Sequence, residues 1–351
     1  MVKKVVIHLG DSKTGSTSIQ STLANCRWKS DTHSLFYSAK FNHSRLADTL
    51  YKKSCEKFRS ARFQSIARKL NRSDADIGVI SAEQFEFCDP KSLSDSIDEY
   101  LPKYKNNIQL ISYIRPHSAR LLSSYAQQIK RGVFNGELDQ FCYYFFQEKR
   151  RIHYAERCQA WKDVFGESYI VRPLIPALLK GQDVVTDFLC LCFGDDQFNL
   201  GLSIHNNKSL GIEDLSVLRY IHSRLDTANG KYISNYRLFG AHFSELLMQL
   251  PTGKTTKLAF HRSLFEKIVE MTRVDVDETD KIHFQGFGAP FKTAMLDAAN
   301  KLVDDQQSID ISDYFGQETI RIVDCWIELI KIMSDSDPQS FQKMIRRPTR
   351  E

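Results

Sequence analysis

The chain of 351 residues lacks several features that would settle its class at a glance. No run approaches about eighteen uncharged apolar residues, so nothing reads as a membrane-spanning helix. Its eight cysteines, at 26, 55, 88, 142, 158, 190, 192 and 325, include no C-x-x-C pair. That spacing argues against zinc and redox-dithiol motifs, and buried free thiols explain the scatter better than a disulfide framework. A strong charge of one sign is also missing. A net charge of +5 is too weak to argue for nucleic acid, though it suits a small anionic ligand. No repeat of fixed period is apparent from about Gly211 onward. Met1 is followed almost at once by an apolar run, so the expectation is no signal peptide or membrane anchor and a reduced, cytoplasmic compartment.

What is present is an alternation of short apolar runs with helical patterns. Val5 to Leu9, Ser34 to Ser38, Ile77 to Ser81, Ile108 to Ile114 and Ser168 to Val171 read as strands. Helices are expected between them, at Ser44–Cys55, Phe58–Leu70, Pro90–Tyr100, from Pro116 to about Lys130, and at Asp183–Phe193 closed by Gly194. Glu137 to Phe165 is helical in pattern, with Tyr143, Tyr144, Phe145 and Phe146 adjacent. Four neighbouring aromatics cover every face of a helix, so some must point away from the core. This order predicts an α/β fold: a P-loop-like parallel sheet flanked by helices, whose ligands gather at the carboxyl ends of the strands. Residues 1–210 would form that core. Residues 211–351, with five further helical patterns and few strand signals, would form a helical extension packed on it. Asp275, Asp277 and Asp280 lack the glycine and twelfth-position glutamate of an EF-hand, and read as a solvated acidic loop.

The chemistry concentrates in Val5 to Gln20, VVIHLGDSKTGSTSIQ. A strand, a loop with Gly10 and Gly15, a hydroxyl cluster at Ser16, Thr17 and Ser18, and a helix start make a phosphate cradle. The glycines let backbone N–H groups approach an anion, and the helix N-terminus adds about half a positive charge. Asp11, Ser12, Lys13, Thr14, Gly15, Ser16 and Thr17 are the candidate binding residues. A Walker A loop requires lysine after its second glycine, whereas here Ser16 follows Gly15 and Lys13 sits mid-loop. A second cluster, Arg115 to Tyr125, reads RPHSARLLSSY. Arg115 at a strand end offers a fork of charged donors and Ser123 a hydroxyl, a pair able to grip one phosphate.

The K-T-G-S-T loop resembles the 5′-phosphosulfate loop of sulfotransferases that use 3′-phosphoadenosine 5′-phosphosulfate (PAPS). The pattern R-P-x-x-x-R-x-x-S-x-Y, about one hundred residues later, resembles their 3′-phosphate motif. The segment VRPLIPALLKGQDVVTDFL is more faintly similar to bacterial carbohydrate sulfotransferases, and the likeness fades beyond Leu210. The resemblance implies transfer of a sulfuryl group from PAPS to an acceptor hydroxyl, leaving 3′,5′-adenosine bisphosphate (PAP) and requiring no metal. It implies Lys13 on the bridging and 5′-phosphate oxygens, Gly15, Ser16 and Thr17 on the 5′-phosphate, and Arg115 and Ser123 on the 3′-phosphate. Lys208, in HNNKSL, is a candidate for a further 3′-phosphate contact, although that motif departs from the family's R-K-G form.

A proton acceptor is also needed, and Glu83 at the end of the third strand is the first choice, with His117 and then His8 in reserve. The partner implied is a hydroxyl-bearing acceptor, a carbohydrate by analogy, with neither nucleic acid nor membrane insertion. Two other readings stand beside this one. A nucleotide-dependent kinase or NTPase would need an aspartate at a strand end for magnesium, which neither IGVISAE nor IQLISYIR supplies. A non-catalytic anion-binding scaffold would need none of the catalytic groups.

Overall fold

In the computed structural model, residues 1–148, 152–201, 210–225, 233–250 and 255–345 are described. Five parallel strands form the central sheet: β1 (Lys4–Leu9), β3 (Leu35–Tyr37), β4 (Ile77–Ala82), β5 (Ile108–Ile114) and β6 (Tyr169–Pro173), in the order β3-β4-β1-β5-β6. A small antiparallel pair, β2 (Trp28–Lys29) with β7 (Asn199–Leu200), carries no periodic signal in the sequence. The chain leaves β1 for one edge, returns to β4, then crosses β1 to β5 on its other side. The order of strands therefore reverses at β1, and such a switch point opens a crevice at the carboxyl ends.

Alternation along β1 divides the core in two. Val5, Ile7 and Leu9 face one cluster with Phe63, Leu70, Phe85, Leu93 and Trp161. Val6 faces the other, with Ile19, Leu23, Val185, Phe188 and Leu189. Helices thus cover both faces, which explains why the strands read as continuous apolar runs. The helices in order are α1 (Ser16–Ala24), α2 (Ser44–Tyr51), α3 (Lys53–Glu56), α4 (Arg59–Arg72), α5 (Pro90–Tyr100), α6 (His117–Lys130), α7 (Leu138–Gln147), α8 (Tyr154–Phe165) and α9 (Val184–Phe193). Asp183 caps α9 by accepting from the N–H groups of Val185 and Thr186, and Gly194 closes it in the left-handed region.

Beyond residue 210 come α10 (Ile212–Arg224), α11 (Ile233–Gln249), α12 (Arg262–His283), α13 (Pro290–Ala299), α14 (Gln317–Ser336) and α15 (Pro338–Ile345). The α/β class, with a C-terminal helical extension, is as the sequence predicts. The compact units, however, do not follow a boundary at 210. One comprises Met1–His117, Arg150–Asn206 and Thr272–Leu296; the other comprises Ser118–Lys149, Asn207–Met271 and Asp297–Glu351.

The first unit contains the sheet and the second half of α12. The expected acidic loop is instead part of that helix. Thr272, Val276, Thr279 and Asp280 are buried along it, and Phe284 just beyond its end. Asp275 accepts the Ala155 N–H, and Asp280 accepts those of Phe291 and Lys292 at the start of α13.

The second unit is helical among the described residues apart from an isolated bridge, His261 to Val303. Within it Phe145 and Phe146 are buried while Tyr143 and Tyr144 are exposed, as four adjacent aromatics require. All eight cysteines are free thiols. Four are buried, but Cys26 and Cys325 are exposed.

Candidate functional site: an N–H cradle at the end of β1

The register sets Leu9 beside Ala82 of β4 and Ser112 of β5, so the residues just beyond each strand converge. Gly10 donates its N–H to the Ala82 carbonyl. A Cβ there would lie 2.8 Å from the Cα of Glu83 and 2.8 Å from Ser16 Oγ, so only glycine permits this approach. The loop is therefore pressed against the residue expected to act as base. Glu83 itself opens a short 3-10 turn, Glu83–Phe87, and is half-buried.

The loop then turns twice through the left-handed region, at Lys13 (φ 67°) and Gly15 (φ 80°). A lysine there is strained by roughly 1–3 kcal/mol, a cost characteristic of residues held for function. At Gly15 a side chain would also meet Val184 Cγ1 at 2.7 Å, so the N-terminal end of α9 packs directly on the loop. Thr14 is buried, and its hydroxyl donates to the Asp11 carbonyl at 2.7 Å. Gly15 caps α1 without a side-chain acceptor. Among the described residues, the N–H groups of Thr14, Gly15, Ser16 and Thr17 find no acceptor in the protein. Four such donors where the backbone curls into a helix start form an anion-binding nest.

Arg115, directly beyond β5, reaches this loop. Its Nη1 donates to the Lys13 carbonyl at 3.3 Å, and its own carbonyl accepts from Tyr154 Oη at 2.9 Å. Burial lowers the guanidinium pKa, though an arginine stays charged in any case. No carboxylate among the described residues pairs with it. A half-buried cation without a counter-ion, beside unsatisfied N–H groups, is a demand for an anion.

Asp11 and Ser12 take a different part from the one expected of them. The Asp11 N–H is engaged by Thr14 Oγ1, and its carboxylate accepts from Ser12 N–H at 2.8 Å and from Arg157. Glu86 accepts from the Ser12 hydroxyl at 2.9 Å and the Ser12 N–H at 3.2 Å, and lies 3.4 Å from Arg157 Nη1. Asp11, Glu86 and Arg157 thus form a buried triad that ties the loop to α8 and to the turn after β4. These residues shape the cradle. Sequence reasoning did not single out Glu86 or Arg157, since an arginine on an amphipathic helix gives no sign that it faces inward.

The two histidines held in reserve do not suit a base. His8 is fully buried, with Nδ1 2.8 Å from Ser81 Oγ and its ring against Phe188, and burial pushes its pKa down to about 3. His117 is buried against Tyr154 and Phe291; its Nε2 is 2.8 Å from the Ile152 carbonyl and 2.9 Å from Asp275 Oδ2. That environment makes it a packing residue. Ser123 lies on α6 within the second unit, half-buried, and Lys208 falls outside the described residues.

No known family's sequence profile matches the chain, and no curated protein matches it. A sulfotransferase from Alicyclobacillus acidocaldarius, of known crystal structure, is similar in fold at 10% identity and a TM-score of 0.42, over 83% of this chain and 100% of that one. A likeness this distant establishes neither family nor activity.

Proposed function

We propose that the chain is a sulfotransferase that moves a sulfuryl group from PAPS to an acceptor hydroxyl. The observation that carries the reading is the cradle: four N–H groups with no acceptor among the described residues, Lys13 in their midst, and Arg115 beside them with no carboxylate partner among those residues. In this reaction the bond from sulfur to the 5′-phosphate oxygen breaks while one to the acceptor oxygen forms, and charge grows on the leaving oxygen. Donors fixed in advance at that oxygen are the main help a protein can give. Lys13 and the N–H groups of Gly15, Ser16 and Thr17 supply them. Arg115 holds the 3′-phosphate, with Ser123 and Lys208 as further candidates. Glu83, with its backbone against Gly10, takes the acceptor proton as the new bond forms.

The kinase reading is weaker because the loop's carboxylates are already engaged. Asp11 and Glu86 are both salt-bridged to Arg157, so these two carboxylates neutralise a guanidinium instead of standing ready for magnesium. The acceptor is proposed to be a sugar hydroxyl, by analogy with the family that the loop resembles. Titration calorimetry with PAP and with ATP, each with and without magnesium, separates the readings. Tighter binding of PAP supports the sulfotransferase; ATP binding that depends on magnesium refutes it. Transfer of labelled sulfate from PAPS to a panel of desulfated glycans and simple alcohols then rules out the scaffold and identifies the acceptor class.

A further inference from the structure

Helix α14 is apolar on two faces and buries only one of them. Ile327 and Ile330, with Val323 beside them, pack on Ile221, Leu225, Tyr236 and Phe341, and Ile320 is buried on the same face. The other face carries Ile322, Cys325, Trp326, Leu329, Ile332 and Met333, of which Trp326 is 61% exposed and Ile332 61%. Together the six expose roughly 500 Å² of largely apolar surface, as much as the largest patch of a typical monomer, and patches of that size are often functional. That is also about the apolar share of the ~800 Å² each partner contributes to a stable dimer.

The spacing is that of a helix-pairing seam. Ile322, Cys325, Leu329 and Ile332 recur at intervals of three, four and three, the a and d positions of a heptad. Trp326 and Met333 flank one side of the seam; Arg321, Glu328 and Asp335 flank the other. We propose that two copies of this chain associate through α14, antiparallel, about a two-fold axis beside residue 327.

This one register satisfies the whole face. Ile322 lies opposite Ile332 of the second copy and Cys325 opposite its Leu329, giving four apolar layers by symmetry. In antiparallel pairs each flank meets its own kind, so Trp326 packs on Met333 of the second copy and Arg321 faces its Asp335. Only Glu328 meets its own copy at the axis, and each Glu328 already has Lys331 Nζ at 2.7 Å. A membrane surface fits less well. The polar residues around the face are Glu318, Asp324, Glu328 and Asp335 against Arg321 and Lys331, and that acidic balance repels anionic lipid.

The test is sedimentation velocity on the full chain across a concentration series. The parent sediments as a dimer, and Trp326→Glu as a monomer that melts where the parent does once diluted below its dissociation constant. Arg321→Asp raises the dimer dissociation constant about tenfold, and adding Asp335→Arg restores it. Glu328→Gln tightens the dimer. A parent that stays monomeric at every concentration, or a dimer indifferent to Trp326→Glu, overturns the proposal. Failure of the charge swap to restore affinity overturns the register. A monomeric parent that pellets with phosphatidylserine vesicles assigns the face to lipid instead.

Discussion

Replacing Arg157 with methionine tests whether the cradle is held from behind. Methionine keeps most of the length and apolar stem of the side chain but removes its charge. The side chains of Asp11 and Glu86 are 3% and 1% exposed, and Arg157 is 10% exposed, so water cannot take over the role of the guanidinium. Removing one partner of a buried ion pair costs about 3–5 kcal/mol, because the remaining charge stays desolvated. Here two carboxylates lose a cation that they share, so the upper half of that range is expected. Urea unfolding of parent and variant at pH 7 measures it. PAP titration at pH 7 reports whether the loop keeps its shape, and adding Glu86→Gln should recover part of both losses. A penalty below about 1 kcal/mol at pH 7 would refute the triad as the loop's anchor.

Three further outcomes follow from the same geometry. Lys13→Ala should lower turnover by about a hundredfold or more while weakening PAP binding far less, because charge on the leaving oxygen grows only during transfer; near-normal turnover would remove Lys13 from the chemistry. Glu83→Gln keeps the shape but cannot take a proton, so turnover should fall roughly a hundred- to ten-thousandfold with PAP affinity and melting temperature close to the parent's; retained turnover would displace Glu83 as the base. Burial pushes His8 down to about 3 and His43 and His222 down to about 4, all below the ordinary 6.5 of the unfolded chain. The unfolded chain then binds more protons below pH 6.5, so stability is full above that pH and falls by about 2 kcal/mol per histidine by pH 5; a denaturant midpoint unchanged between pH 7 and 5 would contradict this.

The sequence by itself determined the sheet and the loop, because both rest on local rules. Strands buried on two faces must be continuous apolar runs, and Ile108–Ile114 begins and ends where its run does. Gly10 and Gly15 declared the sharp turn, since no other residue tolerates a neighbour at 2.8 Å or a φ of 80° without strain. Tertiary structure decided what long-range pairing alone can decide. Asp11 and Arg157 are 146 residues apart, and nothing near either one reports the other. His117 has the spacing of a base on the cofactor side, but Tyr154, Asp275 and Phe291, all distant in sequence, enclose it. Asp275 to Asp280 read as a loop because its inward face is filled by Thr272, Thr279 and Asp280 as well as Val276. Polar residues hide a helical period from the sequence, and they can be buried there only because α8 and α13 supply N–H groups to Asp275 and Asp280.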